Sequence, residues 1–194
     1  MGGHVPEPAL YDACVFAQSL GDSAELRPLE PWQAAEFLTH IDQIRDHLLP
    51  WIPFASRIYD VDAARGLLQR FADLQARDEG RFYGIWVDGV LSGGTLFRTF
   101  DVPSGVCEVG VWLAPGAEGR GLVTRAVTHM IDWAFRERGM ERVEWHNDPK
   151  NIRSAAVARR LGMTREGVLR SSFVLGGARH DTEIWAILSS EWPS

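Results

Sequence analysis

The sequence is poor in cysteine. Its two, Cys14 and Cys107, lie far apart and match no metal or redox spacing. Cys107 sits in an apolar run and reads as a buried side chain. No stretch of 18 apolar residues occurs, so no helix is expected to cross a membrane. Met1 to Pro8 has no basic region followed by an apolar one, so it does not read as a secretory signal. Pro6 stands where a myristoylation motif needs Ser or Thr. The expected location is cytoplasmic. Excess positive charge is also missing. There are 20 Lys and Arg against 26 Asp and Glu, for a net charge of −6. Nucleic-acid binders carry a basic patch, so no direct nucleic-acid partner is expected, and the acidic balance reads first as solubility. His40 and His47, seven residues apart, do not close a metal site, and no metal is assigned.

What is present reads as one domain over residues 1–194, with 1–12 as a loose leader. Residues 13–30 suggest a strand or hairpin. Pro31 opens a helix whose stripe is Ala34, Phe37, Leu38, Ile41 and Ile44. The segment Leu48 to Phe54 is apolar but broken by Pro50 and Pro53, hence a loop. A second helix spans about Asp62 to Arg77. Phe82–Val87 and Val90–Phe100 form a hairpin around Asp88-Gly89, and a third strand covers Val106–Leu113. After Gly121 comes a strong amphipathic helix ended by Gly139. A strand over Val143–His146, a helix over Asn151–Leu161 and two strands around Gly176-Gly177 complete the order. The predicted fold is α/β of mixed type: a mostly antiparallel central sheet flanked by helices. It contains one parallel strand–helix–strand unit from Val106 to His146.

The most informative stretch is Ala117-Glu118-Gly119-Arg120-Gly121-Leu122-Val123-Thr124, between a strand and a helix. Glycines there bring backbone N–H groups close to a ligand, and the helix dipole adds positive potential. Such a turn holds a pyrophosphate without lysine. A Walker loop is excluded because no Gly-Lys pair exists. A Rossmann fingerprint needs glycine where Thr124 stands, and it normally opens a parallel domain. A coenzyme A loop and a plain glycine-rich connection both remain compatible with the turn alone.

Further motifs stand in order around it: Glu108-Val109-Gly110-Val111-Trp112-Leu113 before, Asn151-Ile152-Arg153-Ser154 and Leu161-Gly162-Met163 after. Together with Leu49-Pro50-Trp51-Ile52-Pro53-Phe54, they resemble the GNAT superfamily of N-acetyltransferases, and within it the RimJ/RimL-like branch, over about residues 24–188. The resemblance implies acetyl-CoA as donor and transfer of acetyl to a primary amine, as in the branch that acetylates ribosomal-protein N-termini. It implies direct transfer in a ternary complex. It places the pantetheine arm beside Val111, Trp112 and Leu113, and the pyrophosphate on Glu118, Gly119, Arg120, Gly121, Leu122, Val123 and Thr124. Asn151 and Ser154 join the coenzyme site, with Ser154 as the acid that protonates the thiolate. Dimers are common among such proteins, so a homodimer is compatible with the resemblance.

The sequence departs from the pattern at three places. Glu118 replaces the usual Gln or Arg, so its carboxylate must point away from phosphate. Ala158 replaces a tyrosine acid. Phe173 stands where RimL-like enzymes carry a glutamate base. Glu108, in an otherwise apolar strand, is the leading base candidate, since burial raises a carboxyl pKa toward neutrality. A salt bridge is its competing role. His146 is the second base candidate. Asp148, before Pro149, reads as a turn residue. Trp51 and Phe54 either line the amine pocket or pack the loop on the core. Three functions compete: protein N-terminal acetylation, acylation of a small-molecule amine, and a non-catalytic acyl-CoA sensor. A nicotinamide oxidoreductase is a distant fourth.

Overall fold

A computed structural model describes residues 17–193. The leader, Cys14 and the start of the first expected strand lie outside the described residues. Eight strands form one sheet: β1 (Gln18–Gly21), β2 (Ala24–Pro28), β3 (Arg81–Val87), β4 (Val90–Asp101), β5 (Val106–Leu113), β6 (Arg142–Asn147), β7 (Thr164–Leu175) and β8 (Ala178–Leu188). The helices are α1 (Ala34–Leu48), α2 (Val61–Ala76), α3 (Leu122–Arg136) and α4 (Ile152–Arg160).

The order across the sheet is β1-β2-β3-β4-β5-β6-β8-β7. Every pairing is antiparallel except β5 with β6. That exception is the pair joined through α3, as the expected crossover requires. The β3–β4 hairpin closes on Val87 and Val90, with Asp88 and Gly89 both at positive φ.

Side chains alternate across the sheet, and two cores result. Trp112, Phe82 and Trp86 face α1 and α2, packing with Phe37, Ile41 and Leu68. Cys107, Val109, Val143 and Trp145 pack with α3 and α4 through Val127, Ile131, Ala155 and Ala158. Ala158, where the resemblance expects a tyrosine, is fully buried there.

Two side chains tie neighbouring elements together. Between α1 and α2, Arg45 donates to the carbonyls of Ala55 and Ile58, pairs with Asp42, and lies 4.4 Å from the Tyr59 ring. One side chain thus pins the proline-broken loop to α1. In β4, Phe97 pairs with Val109 and Thr99 with Glu108, so Arg98 is a bulged residue. A bulge re-aims its side chain, and Arg98 reaches across to Glu108.

Candidate functional site

Strands β5 and β6 pair only from Val106↔Arg142 to Val109↔Trp145. Beyond that point β5 runs on through Gly110–Leu113 paired with β4 alone, while His146 and Asn147 pair with β8 alone. The two parallel strands splay into a wedge, which leaves one edge of Val111–Leu113 without a strand partner. Edge backbone of this kind accepts another extended chain.

At the wide end of the wedge stands the N-terminus of α3. Gly119 and Gly121 have φ of 77° and 71°, a left-handed geometry that suits glycine. Gly121 is the N-cap, and the first bond within the helix is from the Arg125 N–H to the Gly121 carbonyl. Leu122, Val123 and Thr124 therefore carry N–H groups without an acceptor inside the helix, at its positive end. A Cβ on Gly119 would meet nothing within 4 Å. The turn is an open, donor-rich concavity.

Wedge and turn share a cleft of about 1490 Å³. It is bounded by the α1–α2 loop and α2 on one side, α3 and α4 on the other, with Gly110–Leu113 and Trp145–Asp148 as its floor.

Ser154 lines this cleft, placed by two contacts. Asn151 caps α4 by accepting the Ser154 N–H at 3.1 Å, and the Trp145 indole N–H donates to Ser154 Oγ at 2.9 Å. The indole takes up one acceptor position of the hydroxyl and leaves its proton free to donate.

Glu108 is buried, with Oε1 3.0 Å from Arg98 Nε and 3.5 Å from His146 Nδ1. It stands behind Arg98 and His146, which line the cleft while Glu108 itself does not. His146 lies between two carboxylates, since its Nε2 is 2.9 Å from Glu144 Oε2. The competing salt-bridge role of Glu108 thus has a physical partner.

Other expected residues take distinct positions. Glu118 turns from the N-terminus of α3 toward Arg153, 3.0 Å from both carboxylate oxygens, and toward His47 at 3.3 Å. Arg120 donates to the Asp22 carbonyl at 3.0 Å and does not line the cleft, so only its backbone is at the turn. The Trp112 ring is buried between Phe82 and Phe54, leaving its backbone to the wedge. Phe54 packs in that aromatic cluster and also lines the cleft, while Trp51 stands at the rim.

Sequence reasoning missed several neighbours. Asn147 donates to Glu183 at 3.1 Å and to the Asp148 carbonyl at 2.9 Å, yet its Oδ1 is buried without a partner in the cleft wall. Such an acceptor is costly unless a ligand brings a donor. Asp148 is more than a turn former: its Oδ2 lies 2.7 Å from His180 Nδ1, tying the start of α4 to β8 beside Phe173. No short-range pattern marks the Asn147–Glu183 and Asp148–His180 contacts, because each joins residues far apart in the chain. Burial pushes the Cys107 thiol up to about 12, which removes it as a nucleophile near neutral pH. Among the described residues no cluster of His, Cys, Asp and Glu is arranged to hold a metal, and no helix is long and apolar enough to cross a membrane.

Residues 24–164 match the family described as Acetyltransferase (GNAT) domain. Over 183 residues the chain is 30% identical to YdaF of Bacillus subtilis (strain 168), a protein whose name refers to ribosomal N-acetylation. That match covers 92% of this chain and 98% of YdaF. It is 27% identical to the [ribosomal protein uS5]-alanine N-acetyltransferase of Escherichia coli (strain K12), covering 84% of each. A solved structure of RimL, the ribosomal L7/L12 α-N-protein acetyltransferase in complex with coenzyme A, superposes with a TM-score of 0.84 at 20% identity. It covers 89% of this chain and 97% of that one, a likeness of fold.

Proposed function

Because the chain belongs to the GNAT acetyltransferase family, we propose that its cleft transfers acetyl from acetyl-CoA to the α-amine of a protein N-terminus, in the cytoplasm. The observation that carries this reading is the wedge between β5 and β6, opening directly onto the bare N-terminus of α3. One arm offers strand-edge backbone for the extended pantetheine, and the other offers N–H groups for the pyrophosphate. When bound, acetyl-CoA supplies an acyl group activated as a thioester. The free amides of Leu122, Val123 and Thr124 hold the phosphates, and Glu118 is kept off them by Arg153 and His47. Asn147 Oδ1 is placed to accept an amide N–H of the arm. A backbone N–H near Val111 polarises the carbonyl, a contribution worth about 100- to 1000-fold where such donors have been removed.

The chain's own groups then move two protons. The acceptor ammonium must lose one before its nitrogen has a lone pair, and His146, backed by Glu108, lines the cleft to take it. The second leaves the nitrogen as the tetrahedral adduct collapses and reaches the departing sulfur by way of Ser154, whose oxygen is held by Trp145. The amine attacks directly and no enzyme nucleophile is needed, which agrees with the buried, protonated Cys107. Trp51 and Phe54 wall the acceptor side. The names of YdaF and of the uS5-alanine enzyme favour a protein amine over a free small molecule.

The test is release of coenzyme A thiol from acetyl-CoA with short peptides as acceptors. The expected result is peptide-dependent thiol release, with acetyl on the α-nitrogen by mass spectrometry. Binding of acetyl-CoA without turnover on any amine would instead establish a sensor.

A further inference from the structure

The acceptor side of the cleft carries an unbalanced positive charge. Arg57 follows the proline-broken loop, Arg70 projects from α2, and Arg98 is the bulged residue of β4; all three line the cleft. Arg57 and Arg70 are exposed and, among the described residues, have no carboxylate within ion-pair distance. Nearby acids are engaged elsewhere. Asp60 caps α2 at 2.7 Å from the Ala63 N–H, Asp62 pairs with Arg65 at 2.9 Å, and Glu108 pairs with Arg98. The two carboxylates that line the cleft, Glu118 and Asp148, are held by Arg153 with His47 and by His180. This positive arm sits in a chain whose net charge is −6.

A second observation points to what lies there. Ala63, Gly66, Leu67, Arg70 and Phe71 are the α2 residues that line the cleft, at helical spacing along one face. Gly66 weakens a helix interior, and a Cβ there would meet nothing within 4 Å, so no packing inside the protein requires glycine. Its absence of side chain leaves a bare notch between Ala63 and Arg70, where an extended chain can lie against the helix.

We propose that this arm is a carboxylate-binding subsite, built by Arg57 and Arg70 with Arg98 at its inner end, that selects peptides with acidic residues just after the acceptor amine. The inference rests on the acyltransferase reading and adds the substrate class. An ammonium entering the arm alone is repelled by the unpaired guanidiniums of Arg57 and Arg70. Carboxylates on its own chain offset that repulsion and pair with Arg57 and Arg70, raising encounter and binding together.

The experiment uses the full chain, acetyl-CoA, and two labelled peptides of equal length beginning with serine, one with Asp and Glu at positions 2–5 and one with Lys and Arg there. Expected is a kcat/KM at least about tenfold higher on the acidic peptide at low salt, shrinking as salt screens the pairs. The double charge reversal Arg57→Glu with Arg70→Glu should abolish or invert that preference, with the KM for acetyl-CoA unchanged. Equal kcat/KM on the two peptides, or a preference that survives the reversal, would overturn the subsite. So would free aspartate turning over as well as the acidic peptide. Anisotropy of the same peptides separates the two readings. Preferential binding of the acidic peptide without turnover leaves the subsite standing and removes the acyltransferase reading. Turnover without preference does the reverse.

Discussion

Ser154 shows how little of a residue's role lies in the residue itself. A serine in the first turn of a helix is ordinary. Here Asn151 holds its backbone and Trp145 occupies one acceptor position of its oxygen, so the hydroxyl proton is free to donate. If that proton goes to the leaving thiolate, Ser154→Ala lowers kcat by about 100-fold or more, within the usual range for acid–base groups. Its affinity for acetyl-CoA should change little. A loss under about threefold, measured by thiol release at saturating donor, would reduce Ser154 to a helix residue. The asparagine and serine were legible in the sequence as a spaced pair, but the Trp145 contact was not. Glu108 was legible as a carboxylate in an apolar strand. Its partner was not, because Arg98 reaches it only through a bulge that shifts the β4–β5 register by one residue.

At the scale of elements, periodicity and punctuation placed every helix and strand near its observed position. Asp88-Gly89 marked a hairpin, and the apolar stripes marked α1, α2 and α3. How α1 docks was not visible. Its His40 is buried in the core, where the Trp112 indole N–H approaches its Nε2 at 3.3 Å. This contact ties α1 to the strand that floors the cleft. Burial holds the imidazole neutral, with its pKa lowered from 6.5 to about 4. The unfolded chain takes up a proton below about pH 6.5 that the folded one refuses until about pH 4. This contribution is therefore complete above 6.5 and is lost as pH falls toward 4. At about 1.4 kcal/mol per unit, it amounts to roughly 3 to 4 kcal/mol. His40→Gln, which keeps an acceptor for Trp112, should flatten the urea-unfolding stability between pH 6.5 and 4.5 relative to the parent. An unchanged acid slope would show that His40 is not the titrating group.

Across the whole molecule, the site exists because one pairing stops early. The parallel β5–β6 ladder ends at Val109↔Trp145, and the strands separate where α3 begins. The glycine turn could be read from the sequence as a phosphate cradle, and the mixed sheet from the order of elements. The wedge could not, since nothing in Gly110–Leu113 or His146-Asn147 records where their pairing ends. Nor could the arginine-lined arm, which gathers Arg57, Arg70 and Arg98 from three elements. Cradle and wedge together support the proposal that acetyl-CoA lies along this cleft with its pyrophosphate on the N-terminus of α3. The most direct test is calorimetric titration of acetyl-CoA into Gly121→Glu, beside Gly121→Ala as a control for backbone strain at φ 71°. A side chain at this N-cap costs backbone strain that the two variants share, so both should fold, melting somewhat below the parent and close to each other. The affinity of the glutamate variant should fall by at least about 100-fold, the scale expected when phosphate meets like charge instead of free N–H groups. The alanine variant should fall much less. An unchanged dissociation constant in folded Gly121→Glu would contradict the account.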